Sequence, residues 1–317
     1  MAFISCDRRN IYEEEPDEGE KSQVSWDWSG LDNESSRPAY LSLVANSVSD
    51  KPEYIEKVVG SGDSYSLSDA SYDLGPALLM CYWAEGSKLS TQGVTGEIPP
   101  AGTNAAAGTD ALIFENTPDI AHAAVRLIVS ERDGQTTVLR QPGPVYVALS
   151  QQVQLSPSEV TEITLAPAML GRRVIIEGTY LSQSTTVVRS ECYLSGLAAA
   201  VSLRDGSPLS GEASVRQWFP LVQSAETLNG VTVSDGETYC LGVVPSATPE
   251  QGANELEFLL YFYQNTQPRR FRLDVSKLMH DPRWDRMYLR VKYDVDADMI
   301  LESSATLYDG NEILIEI

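Results

Sequence analysis

Residues Thr161 to Gly206 read TEITLAPAMLGRRVIIEGTYLSQSTTVVRSECYLSGLAAAVSLRDG, and apolar and polar residues alternate through much of this stretch. The apolar positions include Ile163, Leu165, Val174, Ile176 and Tyr180, and the polar positions between them include Glu162, Thr164, Arg173 and Glu177. A period of two is typical of a β-strand with one face in the core and one in water. Turn residues interrupt it at Ala166-Pro167, Gly171 and Asp205-Gly206. This spacing favours successive antiparallel strands over a parallel sheet with crossover helices.

The same patterning extends in both directions. Strands are predicted at Gln23–Trp28, at Leu41, Leu43 and Ala45, at Phe258–Tyr263, at Phe271–Val275, at Met287–Asp296 and at Ile313–Ile317. The apolar run from Ala77 to Trp83 predicts a strand that is buried on both faces. Pro142-Gly143-Pro144 marks a boundary, after which Val145 to Leu149 are expected to lead into a second sheet. The chain is therefore predicted to be all-β, with one antiparallel sandwich over residues 23–148 and another over residues 149–317.

Length and charge limit the classes of function. A chain of 317 residues is long enough for two domains, each with its own core. The net charge of −22 argues against nucleic acid as a partner, because phosphate binding needs a field of the opposite sign. No apolar run approaches twenty residues, so no membrane-spanning helix is predicted.

The first 22 residues are predicted to be a disordered acidic tether. Phe3-Ile4-Ser5-Cys6 resembles a degenerate lipobox, which makes Cys6 a candidate site of lipid attachment, although the apolar segment of a signal peptide is missing before it. Either the chain starts at an internal methionine of a longer precursor, which we favour, or Cys6 is an ordinary thiol. Asp7 to Lys21 is rich in acids and too poor in apolar residues to offset the entropy lost on folding.

Motifs of catalysis are missing from the sequence. It contains no GxSxG elbow, no P-loop, no GxGxxG after a strand and no HExxH, so we predict no catalytic, cofactor-binding or metal-binding residue and no enzymatic activity. Paired carboxylates for glycoside hydrolysis stay open, since only the fold sets their spacing. Cys81, Cys192 and Cys240 allow at most one disulfide, and we expect Cys81 and Cys192 to be buried thiols. Of the histidines, His122 is expected to be partly buried at a strand start and His280 to lie on the surface.

Two groups of residues allow a binding role. Trp26, Trp28 and Trp83 form either a platform for stacking sugars or part of the core, and their strand parity favours the core for at least two of them. Residues 266–293 hold eight basic and three acidic side chains. These basic residues either dock an acidic partner subunit or an anionic glycan, or they occupy the solvated outward faces of strands, which we favour.

Several motifs resemble a known family. The order of Leu165-Ala166-Pro167, a strand ending in Glu177-Gly178, and Leu194-Ser195-Gly196-Leu197-Ala198 resembles the second domain of the fimbrillin superfamily, and more narrowly the FimB/Mfa-like lipoproteins of Bacteroidetes. In the first half, Val24–Ser29 and the segment LGPALLMCYWAEG from Leu74 to Gly86 are similar to the corresponding segments of those chains.

This resemblance implies two transthyretin-like, Greek-key sandwiches and no cofactor. It also implies a fimbrial anchor, cap or accessory subunit, held at the outer membrane by an N-terminal lipid and joined to other fimbrial subunits by β-strand addition. The alternative is a surface glycan-binding lipoprotein of a polysaccharide-uptake system, with host or bacterial glycans as partners. Exposed coplanar aromatic rings would favour the glycan role, and an open hydrophobic groove along a sheet edge would favour the fimbrial one.

Overall fold

The computed structural model describes residues 22–31, 37–49, 53–67, 73–84, 94–97, 111–156, 160–180, 187–228, 231–244, 253–263, 267–285, 288–296, 299–308 and 313–316. The strands of the first half are β1 (Gln23–Trp26), β2 (Tyr40–Ser47), β3 (Glu53–Gly60), β4 (Ser64–Ser66), β5 (Gly75–Ala84), β6 (Val94–Glu97), β7 (Leu112–Glu115), β8 (Ala124–Leu127), β9 (Ser130–Arg132), β10 (Gln135–Val138), β11 (Val145–Leu149) and β12 (Val153–Leu155).

The second half continues with β13 (Glu162–Leu165), β14 (Ala168–Met169), β15 (Arg172–Tyr180), β16 (Val187–Ala198), β17 (Ala200–Ser202), β18 (Ser214–Leu228), β19 (Val231–Cys240), β20 (Glu255–Phe262), β21 (Arg269–Asp274), β22 (Tyr288–Asp296), β23 (Met299–Tyr308) and β24 (Ile313–Glu316). One short helix, α1 (Ser276–Met279), and single 3₁₀ turns at Trp28–Gly30 and Pro282–Asp285 complete the described elements. The predicted all-β class is confirmed.

Four sheets form the fold. An eleven-stranded sheet runs β21-β20-β16-β18-β19-β15-β22-β23-β24, with the β9–β10 hairpin joined to β18. A seven-stranded sheet runs β14-β11-β5-β2-β3-β6, with β12 also paired to β5. Two three-stranded sheets, β13-β1-β4 and β17-β8-β7, complete the set.

The cores follow from alternating burial along the strands. Val24 and Trp26 of β1 pack with Leu41 and Leu43 of β2 on one face of the seven-stranded sheet. Side chains from the other face of that sheet, such as Tyr82, belong to a second and larger cluster that includes the inner face of the eleven-stranded sheet. Strand β5 therefore contributes to both cores, as predicted for a strand that is buried on both faces.

Pairing corrects two expectations about strand order. Val145 to Leu149 do not lead into a second sheet, because β11 pairs with β5 along its whole length. Not every pair is antiparallel, since β1–β13, β10–β18 and β15–β22 run parallel. Strands before residue 148 also pair with strands after it, because β1 pairs with β13 and β10 pairs with β18. The division into units at residues 148 and 149 stays a prediction.

The segment Leu194–Ala198 forms a bulge in β16, whose register with β18 shifts between Leu194 and Leu197. Gly196 adopts φ +74°, and a side chain there would collide with the carbonyl oxygen of Ala253. The fully buried Asn254 fixes the bulge by donating from Nδ2 to the carbonyl oxygens of Ser195 (3.2 Å) and Gly196 (3.1 Å). Backbone conformation therefore explains the glycine of the Leu194–Ala198 segment, since only glycine fits both the dihedral angle and the space at position 196.

We predict that Gly196→Ala lowers the free energy of unfolding by about 1–3 kcal/mol, because it combines a strained backbone with a steric clash. Gly62→Ala is the matched control, since no atom lies within 4 Å of a Cβ placed there. Denaturant unfolding of both variants measures the difference. Equal stabilities for the two variants would contradict this account of the bulge.

Candidate interaction surfaces

The eleven-stranded sheet is open at β21. Strand β21 pairs with β20 on one side, and no strand of the described residues pairs with its other side. Phe271 and Leu273 face the larger core and are only half-buried, whereas Arg270 and Arg272 are exposed. An edge strand of this kind presents free backbone N–H and C=O groups beside apolar side chains that are incompletely covered.

Arginines cover the outward face of the same sheet around Glu191, whose side chain is 5% exposed. Arg189 Nε lies 3.1 Å from Glu191 Oε1, and Trp218 Nε1 donates to Glu191 Oε2 at 3.1 Å. Arg132, at the end of β9, lies over the Trp218 ring at 5.5 Å and over the Tyr193 ring at 5.6 Å. The arginines and Trp218 therefore bury the carboxylate of Glu191 on the outward face of the sheet.

The three tryptophans that could form a platform for sugars lie in or against the core, as favoured from the sequence. Trp26 is 6% exposed, Trp83 is 3% exposed and Trp28 is half-buried, which confirms that at least two of the three are core residues. The ring of Trp28 lies 6.4 Å from that of Trp26 and 5.8 Å from that of Trp83, and Trp83 stacks on Tyr146 at 4.7 Å. The stack holds β1 and the turn after it against β5.

Basic side chains of residues 266–293 form ion pairs within the chain. Arg272 Nη2 lies 3.1 Å from Glu257 Oε1, and Arg283 Nη2 lies 2.8 Å from Asp281 Oδ2. Arg290 binds Glu177 on the neighbouring β15 at 2.8 Å. These contacts agree with the favoured interpretation, in which the basic residues lie on outward strand faces.

Both histidines differ from expectation. The side chain of His122 is 75% exposed rather than partly buried, because it follows a surface turn and contacts Asp119 Oδ2 at 2.6 Å. His280 is half-buried rather than a surface residue, because α1 brings its Nε2 within 3.1 Å of Asn254 Oδ1. The two residues lie on separate elements and contact different side chains.

All three described cysteines are buried and free of disulfide bonds. Burial raises the pKa of Cys81 and of Cys240 to about 12, and it also raises the pKa of Cys192. Thiols of this kind stay protonated and unreactive at neutral pH. The candidate lipid site Cys6 and the predicted tether of residues 1–22 lie outside the described residues, apart from Ser22.

Glu56 of β3 is the acid that most resembles a tuned catalytic carboxyl. It is 5% exposed and accepts hydrogen bonds from Tyr82 Oη (2.5 Å), Ser42 Oγ (3.0 Å) and Thr117 Oγ1 (3.1 Å). Burial raises its pKa, and the three hydroxyl donors offset part of that rise. These hydroxyls come from β2, β5 and the loop after β7, so the carboxyl ties that loop to the seven-stranded sheet. In the described part of the chain, no cluster of three or more metal-ligating side chains occurs.

Comparisons with known proteins identify the fold. No protein-family model matches the chain, and no curated protein matches its sequence. A Bacteroides ovatus protein named as a putative adhesin superposes with a TM-score of 0.53 at 12% identity, covering 93% of this chain and 94% of its own.

Two other solved structures are similar along most of their length. A Bacteroides thetaiotaomicron protein named among putative polysaccharide binding proteins has a TM-score of 0.53 at 8% identity, covering 93% of this chain and 98% of its own. The fimbrial anchor protein Mfa2 from Porphyromonas gingivalis has a TM-score of 0.49 at 12% identity, covering 94% and 99%.

The fold is the one seen in Bacteroides proteins named as putative adhesins. At these identities the likeness establishes the fold alone. This shared fold agrees with the all-β fold that the resemblance to the fimbrillin superfamily implies. Among the described residues, none of the helices has the length and apolar character needed to cross a bilayer.

We predict that Glu56→Gln changes how stability depends on pH. The pKa of Glu56 is raised in the folded state, so the native protein binds its proton more tightly than the unfolded chain does. This contribution to stability is fully present below the ordinary value of 4.5 and is lost as pH rises through the raised pKa. Denaturant unfolding between acidic and neutral pH should therefore show a smaller decline in the variant than in the wild type.

Glu53→Gln, at an exposed position on the same strand, is the control. Its stability should follow the wild-type pH profile. If Glu56→Gln followed that profile as well, the ionisation of Glu56 would not be linked to folding.

Proposed function

We propose that this chain is a non-enzymatic, cell-surface fimbrial subunit that joins its partners by β-strand addition. The observation that carries the proposal is the open edge of β21, where Phe271 and Leu273 face the core without full cover. A donor strand from another subunit would pair its backbone with β21, and its alternate side chains would cover these two residues. The adhesin names of structures with the same fold support a surface role.

Charge on β21 favours one kind of donor. Arg269, Arg270 and Arg272 are exposed on this strand. Arginines on an edge discourage unselective pairing, and they favour a donor strand that carries acidic residues at the matching positions. Backbone hydrogen bonds along β21 would therefore provide the affinity, and the arginines would determine the register of the donor strand.

A non-enzymatic role is supported by how the titratable side chains are used. The buried Glu56 is held by hydroxyl groups from three segments, and each histidine contacts a different side chain. Catalysis by paired carboxyls would instead bring two acids to opposite sides of a cleft. The role as anchor, cap or accessory subunit belongs to this proposal, as does a place on the cell surface.

Attachment to the outer membrane through a lipid on Cys6 is a separate part of the proposal. Its support is the lipobox-like Phe3-Ile4-Ser5-Cys6 and the acidic segment that follows. We expect the full-length protein in its native host to carry an acyl mass on Cys6, and we expect Cys6→Ser to leave the membrane fraction. An unmodified Cys6 in the native host would remove the anchor and leave strand addition untouched.

We predict that Phe271→Lys blocks assembly while it preserves the fold. A lysine at this half-buried edge position would place a charge where the donor strand packs, and its long side chain can still reach water. The variant and the wild type would each be produced in a deletion strain of the native host. Co-purification of fimbrial subunits and electron microscopy of the filaments are the measurements.

Tyr40→Lys is the control, since Tyr40 is an exposed aromatic residue (61%) on a different sheet. The control should restore filaments as the wild type does, and thermal unfolding should show that both variants are folded. Normal co-purification of partners with Phe271→Lys, or unchanged filaments in the deletion strain, would contradict the proposal.

A further inference from the structure

A cleft of about 480 Å³ opens beside the arginine-covered face of the large sheet. It is lined by Gln135, Thr136, Ser195, Gly196, Ser214, Val215, Arg216, Val244 and Ala253. Its volume lies within the range of small-molecule sites, about 300–1,000 Å³. The residues of the open edge on β21 are not among its lining.

The cleft exists because two strands diverge. Strands β10 and β18 pair in parallel at Thr137 and Val138, but Gln135 and Thr136 have no partner on β18. On the opposite side, Ser195 and Gly196 of β16 have no partner on β18, because they lie in the bulge. Both causes lie in backbone geometry, so the cleft is preformed in the folded chain.

Polar groups of the wall are held in fixed positions. Ser195 Oγ accepts from the backbone N–H of Glu255 at 3.0 Å. Arg216 Nε donates to Thr137 Oγ1 at 2.8 Å, and Arg216 Nη2 donates to the carbonyl oxygen of Arg132 at 2.7 Å. A ligand would therefore meet an ordered surface and lose little affinity to ordering side chains.

The chemistry of the lining suits a ligand rich in hydroxyl groups. The hydroxyl of Ser214 and the amide of Gln135 can donate and accept hydrogen bonds. Thr136 and Ser195 can accept them, because their hydroxyl groups already donate to Glu131 Oε1 and to the carbonyl oxygen of Glu255. The buried Val215 and Val244 supply an apolar floor for C–H groups. Sugars combine these two properties, because hydroxyl groups ring a face of C–H bonds.

Charge at the cleft points to a neutral sugar. Of the described residues that line it, Arg216 alone is charged, and its Nη2 lies 3.4 Å from Asp133 Oδ2. That pair leaves little net charge at the site, and the net charge of −22 repels polyanions at long range.

We propose that this cleft binds a short neutral oligosaccharide. Trp218 lies two residues beyond Arg216 on the same face of β18, and Arg132 lies over its half-buried ring. This site is distinct from the stack of Trp26, Trp28 and Trp83. It also does not depend on strand addition at β21.

The test uses the full chain and a panel of neutral tri- and tetrasaccharides of glucose, mannose, galactose or xylose, with uronic-acid oligosaccharides of equal length as a comparison. Isothermal titration calorimetry should find at least one neutral oligosaccharide with a Kd below about 1 mM. Ser214→Trp, which fills the rim at an exposed position, should weaken that binding by more than about tenfold. Thr136→Val, which removes one hydroxyl, should weaken it by a smaller factor.

Ser64→Trp is the control, because Ser64 is exposed on the separate sheet of β4. It should bind as the wild type does, and so should Phe271→Lys. The proposal is overturned if no neutral oligosaccharide binds, if uronic-acid oligosaccharides alone bind, or if neither Ser214→Trp nor Thr136→Val weakens binding. Loss of filaments in Phe271→Lys with normal sugar binding would separate the two functions.

Discussion

An open sheet leaves backbone hydrogen-bonding groups without partners at its margins, and this constraint governs the molecule. The eleven-stranded sheet does not close on itself, so β21 presents a free edge in the described part of the chain. Arginines protect that edge from unselective pairing, while Phe271 and Leu273 beside it remain half-buried. The edge therefore has the features that the proposed strand addition requires.

The interior of the same sheet depends on Asn254. Its side-chain amide holds the bulge at Ser195 and Gly196, its backbone N–H donates to Ser276 Oγ at 3.0 Å, and its Oδ1 contacts His280. These contacts hold β16 at the position where its register with β18 changes. Ser195 and Gly196, at that position, line the cleft. Small residues in the Leu194–Ala198 segment thus determine both the packing of β16 and the shape of a binding surface.

The all-β class and most strand positions could be predicted from sequence, because burial alternates along β1 and β13 and β5 contains a continuous apolar run. Pairing between distant strands could not, since the alternation that makes Val145–Leu149 a strand does not say that its partner is β5. His280 was misplaced for a similar reason, because its contact with Asn254 depends on tertiary structure. The cluster around Glu191 and the cleft at Arg216 were missed, because each joins the β9–β10 hairpin to strands far along the chain. The pair Asp133-Gly134 predicts the turn of that hairpin, but it does not indicate which strands the hairpin contacts.

Hydrogen–deuterium exchange of β21 in the isolated protein and in assembled fimbriae tests strand addition most directly. In the isolated protein, the backbone amides of residues 270–274 that point away from β20 should exchange faster than those of the doubly paired β20, because no strand in the described part of the chain pairs with that side of β21. In fimbriae, the account predicts strong protection of those same amides with little change in β20. Equal exchange of β21 in the two samples would contradict the claim that this edge receives a strand.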